Sequence, residues 1–136
     1  MKIYLVSSCL FGLKTRYDGK VISPGNTFRH AVAGTVYIPV CPEQLGGLPT
    51  PRAAADIIEG DGYDVLAGRS RVVCRNGDDV TENFILGANQ VLQIARKLKV
   101  SRIILKAGSP SCGFHPKTGV TAALLQSEGF EVVELD

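Results

Sequence analysis

No apolar run in the chain approaches the roughly 18 residues that a membrane-crossing helix needs, so no span is expected. No secretory signal is expected at the opening either. Val6-Ser7-Ser8-Cys9 looks like a lipoprotein processing site, but residues 3–6 ahead of it fall short of the usual apolar stretch of about 7–15. Charge of one sign is scarce too: the net value is +2. Lys and Arg are scattered, and only Arg96-Lys97-Lys99-Arg102 approaches a cluster. That cluster falls at the end of a predicted helix, where cations suit the helix dipole, so strong nucleic-acid binding is not expected. No Cys-x-x-Cys pair occurs among the 4 cysteines, which argues against a thioredoxin-like or zinc-ribbon chain. At 45% hydrophobic residues the chain does not need disulfide staples, so free or metal-bound thiols in a reducing cytoplasm are the simplest reading. Repeats, linkers and low-complexity segments are missing as well, and residues 1–136 fit one domain.

What is present alternates between strand-like and helical runs. Residues 2–7, 35–40 and 102–105 read as strands, and the second, apolar but for Thr35, as one buried on both faces. Residues 10–24 read as a loop, and Asn26 or Thr27 as the cap of a short helix ending at Gly34. With three prolines and Gly46-Gly47, residues 41–52 are expected to carry no regular structure. A helical turn is expected at 53–58, a brief strand at 71–75, and a turn at Asn76-Gly77. Asp79 three residues before Glu82 suggests a capping box opening the chain's best helix. Its Phe84, Ile85, Ala88, Val91, Leu92, Ala95 and Leu98 follow helical spacing. A loop at 107–119, a helix at 121–127 and a strand at 131–135 complete the pattern. The alternation predicts an α/β fold: a Rossmann-like three-layer sandwich around a mainly parallel sheet.

Three cysteines share one context. Cys9, Cys41 and Cys112 each follow a strand-like run and stand in a loop rich in glycine or proline, whereas Cys74 lies within a strand-like run. Neighbouring parallel strands would gather the three thiols outside their carboxyl ends, where open α/β sheets bind ligands. Three thiolates with no obvious fourth suggest a metal or cluster site with one position open. Taken singly, each cysteine also fits a small buried hydrophobe. Glu43, two residues beyond Cys41, is placed to act as general acid or base. Arg52 closes the same stiff loop and could hold an anion or a carbonyl. His115 stands three residues beyond Cys112, and a zinc site of Cys9, Cys41, Cys112 and His115 is the alternative, with hydrolase chemistry. Asp78-Asp79 reads as turn and cap, with a weaker claim to a site.

Taken together, Cys9-Leu10-Phe11-Gly12, Arg16-Tyr17-Asp18-Gly19, the 41–52 segment, Asp79-Val80-Thr81 and residues 109–113 resemble the signature blocks of the thiouracil desulfidase family. The likeness runs from residue 3 to about residue 125, and Cys74 falls outside the blocks. It implies a [4Fe–4S] cluster held by Cys9, Cys41 and Cys112, leaving one iron without a protein ligand. It further implies non-redox removal of sulfur from a thiolated pyrimidine or related small thiocarbonyl, with release of sulfide. Glu43 would assist attack by water, and Ser109 would hydrogen-bond substrate or intermediate. A non-catalytic carrier of cluster or sulfide is a further alternative. Oligomeric state is not legible.

Overall fold

The computed structural model describes residues 1–21 and 32–135. In chain order its elements are β1 (Lys2–Ser7), a 3-10 turn (Ser8–Phe11), β2 (Thr35–Val40), α1 (Pro42–Leu45), β3 (Ala55–Ile57), α2 (Gly62–Leu66), β4 (Val72–Cys74), α3 (Thr81–Leu98), β5 (Arg102–Lys106), α4 (Val120–Ser127) and β6 (Val132–Leu135). Four strands form one all-parallel sheet in the order β2-β1-β5-β6. β1 pairs in register with β2 from Lys2↔Thr35 to Ser7↔Val40, and with β5 at Tyr4↔Arg102 through Val6↔Ile104. The expected α/β fold with a mainly parallel sheet flanked by helices is therefore present.

Strand alternation sorts the core onto two faces. Leu5, Ile103 and Leu105 meet α3 and α4 through Val91, Leu92, Ala95, Ala122 and Leu125. Val6 and Ile104 point the other way and are covered by Leu10 of the 3-10 turn. The helix expected to begin at Asn26 or Thr27 lies outside the described residues. Among the described residues, no helix is long and apolar enough to cross a membrane.

Several local expectations give way to tertiary context. β2 is not doubly buried: it is an edge strand, with Val36 and Pro39 exposed. An edge tolerates Pro39, which has no N–H to offer a further neighbour. Residues 42–45 do form a helical turn, because Pro42 stands at its first position, where the missing N–H is no loss. Residues 55–57 are strand rather than helix; they pair antiparallel with β4, Ala55↔Cys74 to Ile57↔Val72, in a separate small sheet. The Asp79–Glu82 box is not formed: the Asp79 carboxylate accepts from Thr81 N and Oγ1 at 2.9 and 2.6 Å. A capping box instead opens α2, where Asp61 and Asp64 each accept from the other's backbone N–H.

Candidate active site

β1 lies between β2 and β5, so the chain leaves its carboxyl end in one direction and returns on the other side. Such a switch point opens a crevice in parallel sheets. Here it opens into a cavity of about 820 Å³, lined by Cys9, Cys41, Cys112, Glu43, Arg52 and Ser109 among others. Each thiol is delivered by a different strand. Cys9 stands in the 3-10 turn after β1, and Cys41 directly after β2 at the N-cap of α1. Cys112 follows β5 in a loop laid on the start of α4, where Val120 and Thr121 N–H donate to the carbonyls of Pro110 and Ser111. Cys74, on the separate hairpin, does not line the cavity; its thiol points to Ala53 O at 3.8 Å.

Cys9 and Cys112 are held in surroundings that resist bare ionisation. Burial pushes Cys112 up to about 12, against a hydrogen bond donated to its sulfur by Ser7 Oγ at 3.4 Å and the longer approach of Ser111 Oγ at 3.7 Å. Burial also raises Cys9, opposed chiefly by the Lys106 charge. The Cys41 charge disfavours ionisation of Cys9, and the charges of Cys9 and Cys41 disfavour that of Cys112. Three soft donors that repel one another as bare thiolates fit a bound cationic metal centre, which relieves both penalties. Lys106 and Arg16, beside Cys9 on the same wall, add positive charge.

The described side chains are not arranged to hold a lone zinc ion. Zinc–sulfur bonds of about 2.3 Å bring ligand sulfurs to about 3.8 Å of one another. Among the described residues, no group of three or more His, Cys, Asp or Glu is arranged to hold a metal ion. His115 reaches the cavity rim but turns Nδ1 to Glu134 Oε1 at 2.8 Å, with 83% of its side chain exposed. Glu134 also accepts from the backbone N–H groups of Phe114 and His115. Burial disfavours its charge, yet these hydrogen bonds hold its carboxyl below the ordinary range.

Glu43 sits on α1 with both carboxylate oxygens engaged. Oε1 accepts from Arg52 Nε at 2.9 Å, and Oε2 accepts from Ser111 Oγ at 3.0 Å. The Glu43 and Arg52 side chains are only 13% and 7% exposed. Arg52 was expected to hold an anion or a carbonyl, and it holds the protein's own. Nη2 donates to Thr15 O at 3.0 Å, and Nη1 to Pro49 O and Thr50 Oγ1 at 3.2 and 2.8 Å. Its Nη2 also approaches Cys41 Sγ at 4.0 Å. Ser109 Oγ accepts from the N–H groups of Ser111 and Cys112 at 3.2 and 3.3 Å and lies 2.9 Å from Ser111 Oγ.

Ser111 and Thr15 are the residues that sequence reasoning left without a role. Ser111 lies within residues 109–113, next to Cys112, so a signal was present. Thr15 gave none, because its contribution is a backbone carbonyl. Asp78 and Asp79 do not line the cavity; Asp79 serves α3.

Comparison with known proteins gives three findings. A family model described as 2-thiouracil desulfurase matches residues 4–136. The chain is 43% identical to the uncharacterised protein YbbK of Bacillus subtilis (strain 168), over 95% of this chain and 93% of that one. It also resembles the solved structure of the [4Fe-4S]-dependent thiouracil desulfidase TudS, with a TM-score of 0.77 and 31% identity. That match covers 98% of this chain and 91% of the other.

Proposed function

This chain belongs to the 2-thiouracil desulfurase family and is a desulfidase, and from that premise we propose that it hydrolyses the C=S bond of a thiolated pyrimidine to C=O without net redox change. The observation that carries the reading is the meeting of Cys9, Cys41, Cys112 and Glu43 on one cavity wall. Cys9, Cys41 and Cys112 would hold a [4Fe–4S] cluster. When bound, that cluster would supply an iron without a protein ligand, a Lewis acid for the sulfur of the substrate. The protein's own groups do the rest. Water forms a bond to the carbon, the C–S bond breaks, and the proton released by the water passes to Glu43. Sulfur leaves as hydrogen sulfide with both water protons, one returned from Glu43 and one lost by the new hydroxyl as it becomes C=O. Ser109 orients the substrate or its addition intermediate from the opposite loop. Arg52 fixes the carboxylate, so that little reorganisation is required at the moment of attack. The reducing thiol chemistry suits a cytoplasmic setting, and a single domain serves the whole reaction.

The zinc alternative gains no support, since His115 is committed to Glu134. Anaerobic reconstitution with iron and sulfide, followed by addition of 2-thiouracil, tests the reading. Uracil and sulfide should appear in equal amounts without a partner protein or an added reductant. A loaded protein that binds iron and sulfide but turns over no thiopyrimidine would instead support a carrier. A protein that takes up zinc in preference and remains colourless would overturn the cluster.

A further inference from the structure

Ser109 and Glu43, the two side chains given roles above, do not touch in the structure. Ser111 stands between them: its Oγ is 2.9 Å from Ser109 Oγ and donates to Glu43 Oε2 at 3.0 Å. The directions of these bonds follow from the donor count. A serine hydroxyl has one proton. Ser111 Oγ meets two acceptors, Glu43 Oε2 at 3.0 Å and Cys112 Sγ at 3.7 Å; the nearer, charged carboxylate takes its proton, so the Ser109–Ser111 bond is donated by Ser109. Ser109 in turn receives the backbone N–H groups of Ser111 and Cys112. Those two bonds fix the position of its oxygen. On the far side Arg52 Nε occupies Glu43 Oε1, which leaves Oε2 turned to Ser111. Ser111 is 2% exposed, so bulk water does not replace it in the line.

We infer that Ser111 is a proton relay between Ser109 at the substrate and Glu43 as the final acceptor. This rests on the hydrolytic reading above and deepens it. The water oxygen bonds to the thiocarbonyl carbon and the C–S bond breaks. The water proton passes to Ser109 Oγ, the Ser109 proton to Ser111, and the Ser111 proton to Glu43. Both serines end neutral and Glu43 ends protonated. Return of that proton along the same line to the departing sulfur restores the carboxylate, and the second water proton, lost as the new hydroxyl becomes C=O, leaves on the same sulfur as hydrogen sulfide. No electrons are gained or lost, and no co-reactant beyond water is needed.

The test is a pair of double-mutant cycles. Ser111→Ala should lower kcat by at least about 10²-fold, the lower end of general acid–base effects, with KM and cluster absorbance unchanged. In a Glu43→Gln background the same substitution should cost less than about twofold, because groups acting as one unit are non-additive. Ser111→Thr, which keeps the hydroxyl, should recover a large part of the loss. A full Ser111→Ala penalty repeated in the Glu43→Gln background would overturn the relay. So would unchanged kcat, or loss of the cluster in Ser111→Ala. The second cycle uses the apoprotein and urea unfolding, with Ser111→Ala and Glu43→Ala. A hydrogen bond to a charged group predicts coupling of at least about tenfold in the unfolding constant. Absent coupling would overturn the arrangement. If loaded wild type fails on 2-thiouracil while this coupling is present, the substrate reading has failed and the Ser111–Glu43 link has not.

Discussion

Gly87 in α3 touches nothing reactive, yet its replacement by alanine should damage turnover more than stability. An added Cβ would stand 1.9 Å from Pro42 O, 2.9 Å from Pro42 C and 3.2 Å from Gly46 N. All three are backbone atoms of α1 or its cap, so no side chain can swing aside. The contact is reciprocal, since a Cβ at Gly46 would meet Asn83 O at 2.0 Å. Bringing the 1.9 Å approach out to an ordinary 3.4 Å requires a displacement of about 1.5 Å between α1 and α3. Overpacking of this kind costs about 1–3 kcal/mol. Alanine in a helix interior returns about 1 kcal/mol relative to glycine. The net loss should be about 0–2 kcal/mol, seen as a Tm lower by up to roughly 8 °C for a domain of this size. α1 carries Glu43 and begins at Cys41. Misplacement of a catalytic group by about 1 Å can cost on the order of 10²-fold in rate. Calorimetry of the apoprotein and kcat of the loaded protein measure the two effects separately. A Gly87→Ala protein more stable by about 1 kcal/mol, with wild-type kcat, would refute the reasoning. The α1–α3 contact would then be soft, and Glu43 would take its place from some other constraint.

Serine at Cys9, Cys41 or Cys112 should abolish stable cluster binding, because two thiolates and a hydroxyl hold iron poorly. Cys74→Ser should retain it, since that thiol lies off the cavity wall; iron and acid-labile sulfide content checks both, and equal loss in all four variants would refute the assignment. Arg52→Gln strands Glu43 and should cost about 3–5 kcal/mol in urea unfolding, the range for breaking a buried pair. By contrast, Arg69→Gln, which breaks a pair with Asp64 at a side chain 66% exposed, should cost under about 1 kcal/mol. Glu134 makes an acid-sensitive contribution. Its folded carboxyl lies below the ordinary 4.5, so its stabilisation is present above that value and is lost as pH falls through the lower folded one. Glu134→Gln should therefore be less stable than wild type near neutrality, with the gap closing as unfolding is measured at progressively more acid pH.

The chain's own pattern was enough to announce three strands ending at three cysteines, and the long helix with Phe84, Ala88, Val91, Leu92 and Ala95 inward. Those signals are local, because strand composition and helical period are written in consecutive residues. The blocks around Cys41 and Cys112 mark the family without any geometry. Tertiary structure decided the rest. Whether Thr35–Val40 lies at the centre or the edge of the sheet depends on which strand comes next to it, and that pairing is non-local. Residues 55–57 became a strand because β4 offered a partner across the intervening α2, overriding a weak local preference. Arg52 and Glu43 face each other only because a turn of helix replaces the loop expected after Cys41. Ser111 lies 68 positions from Glu43 along the chain, and no local pattern marks a hydroxyl whose partner is brought to it by folding.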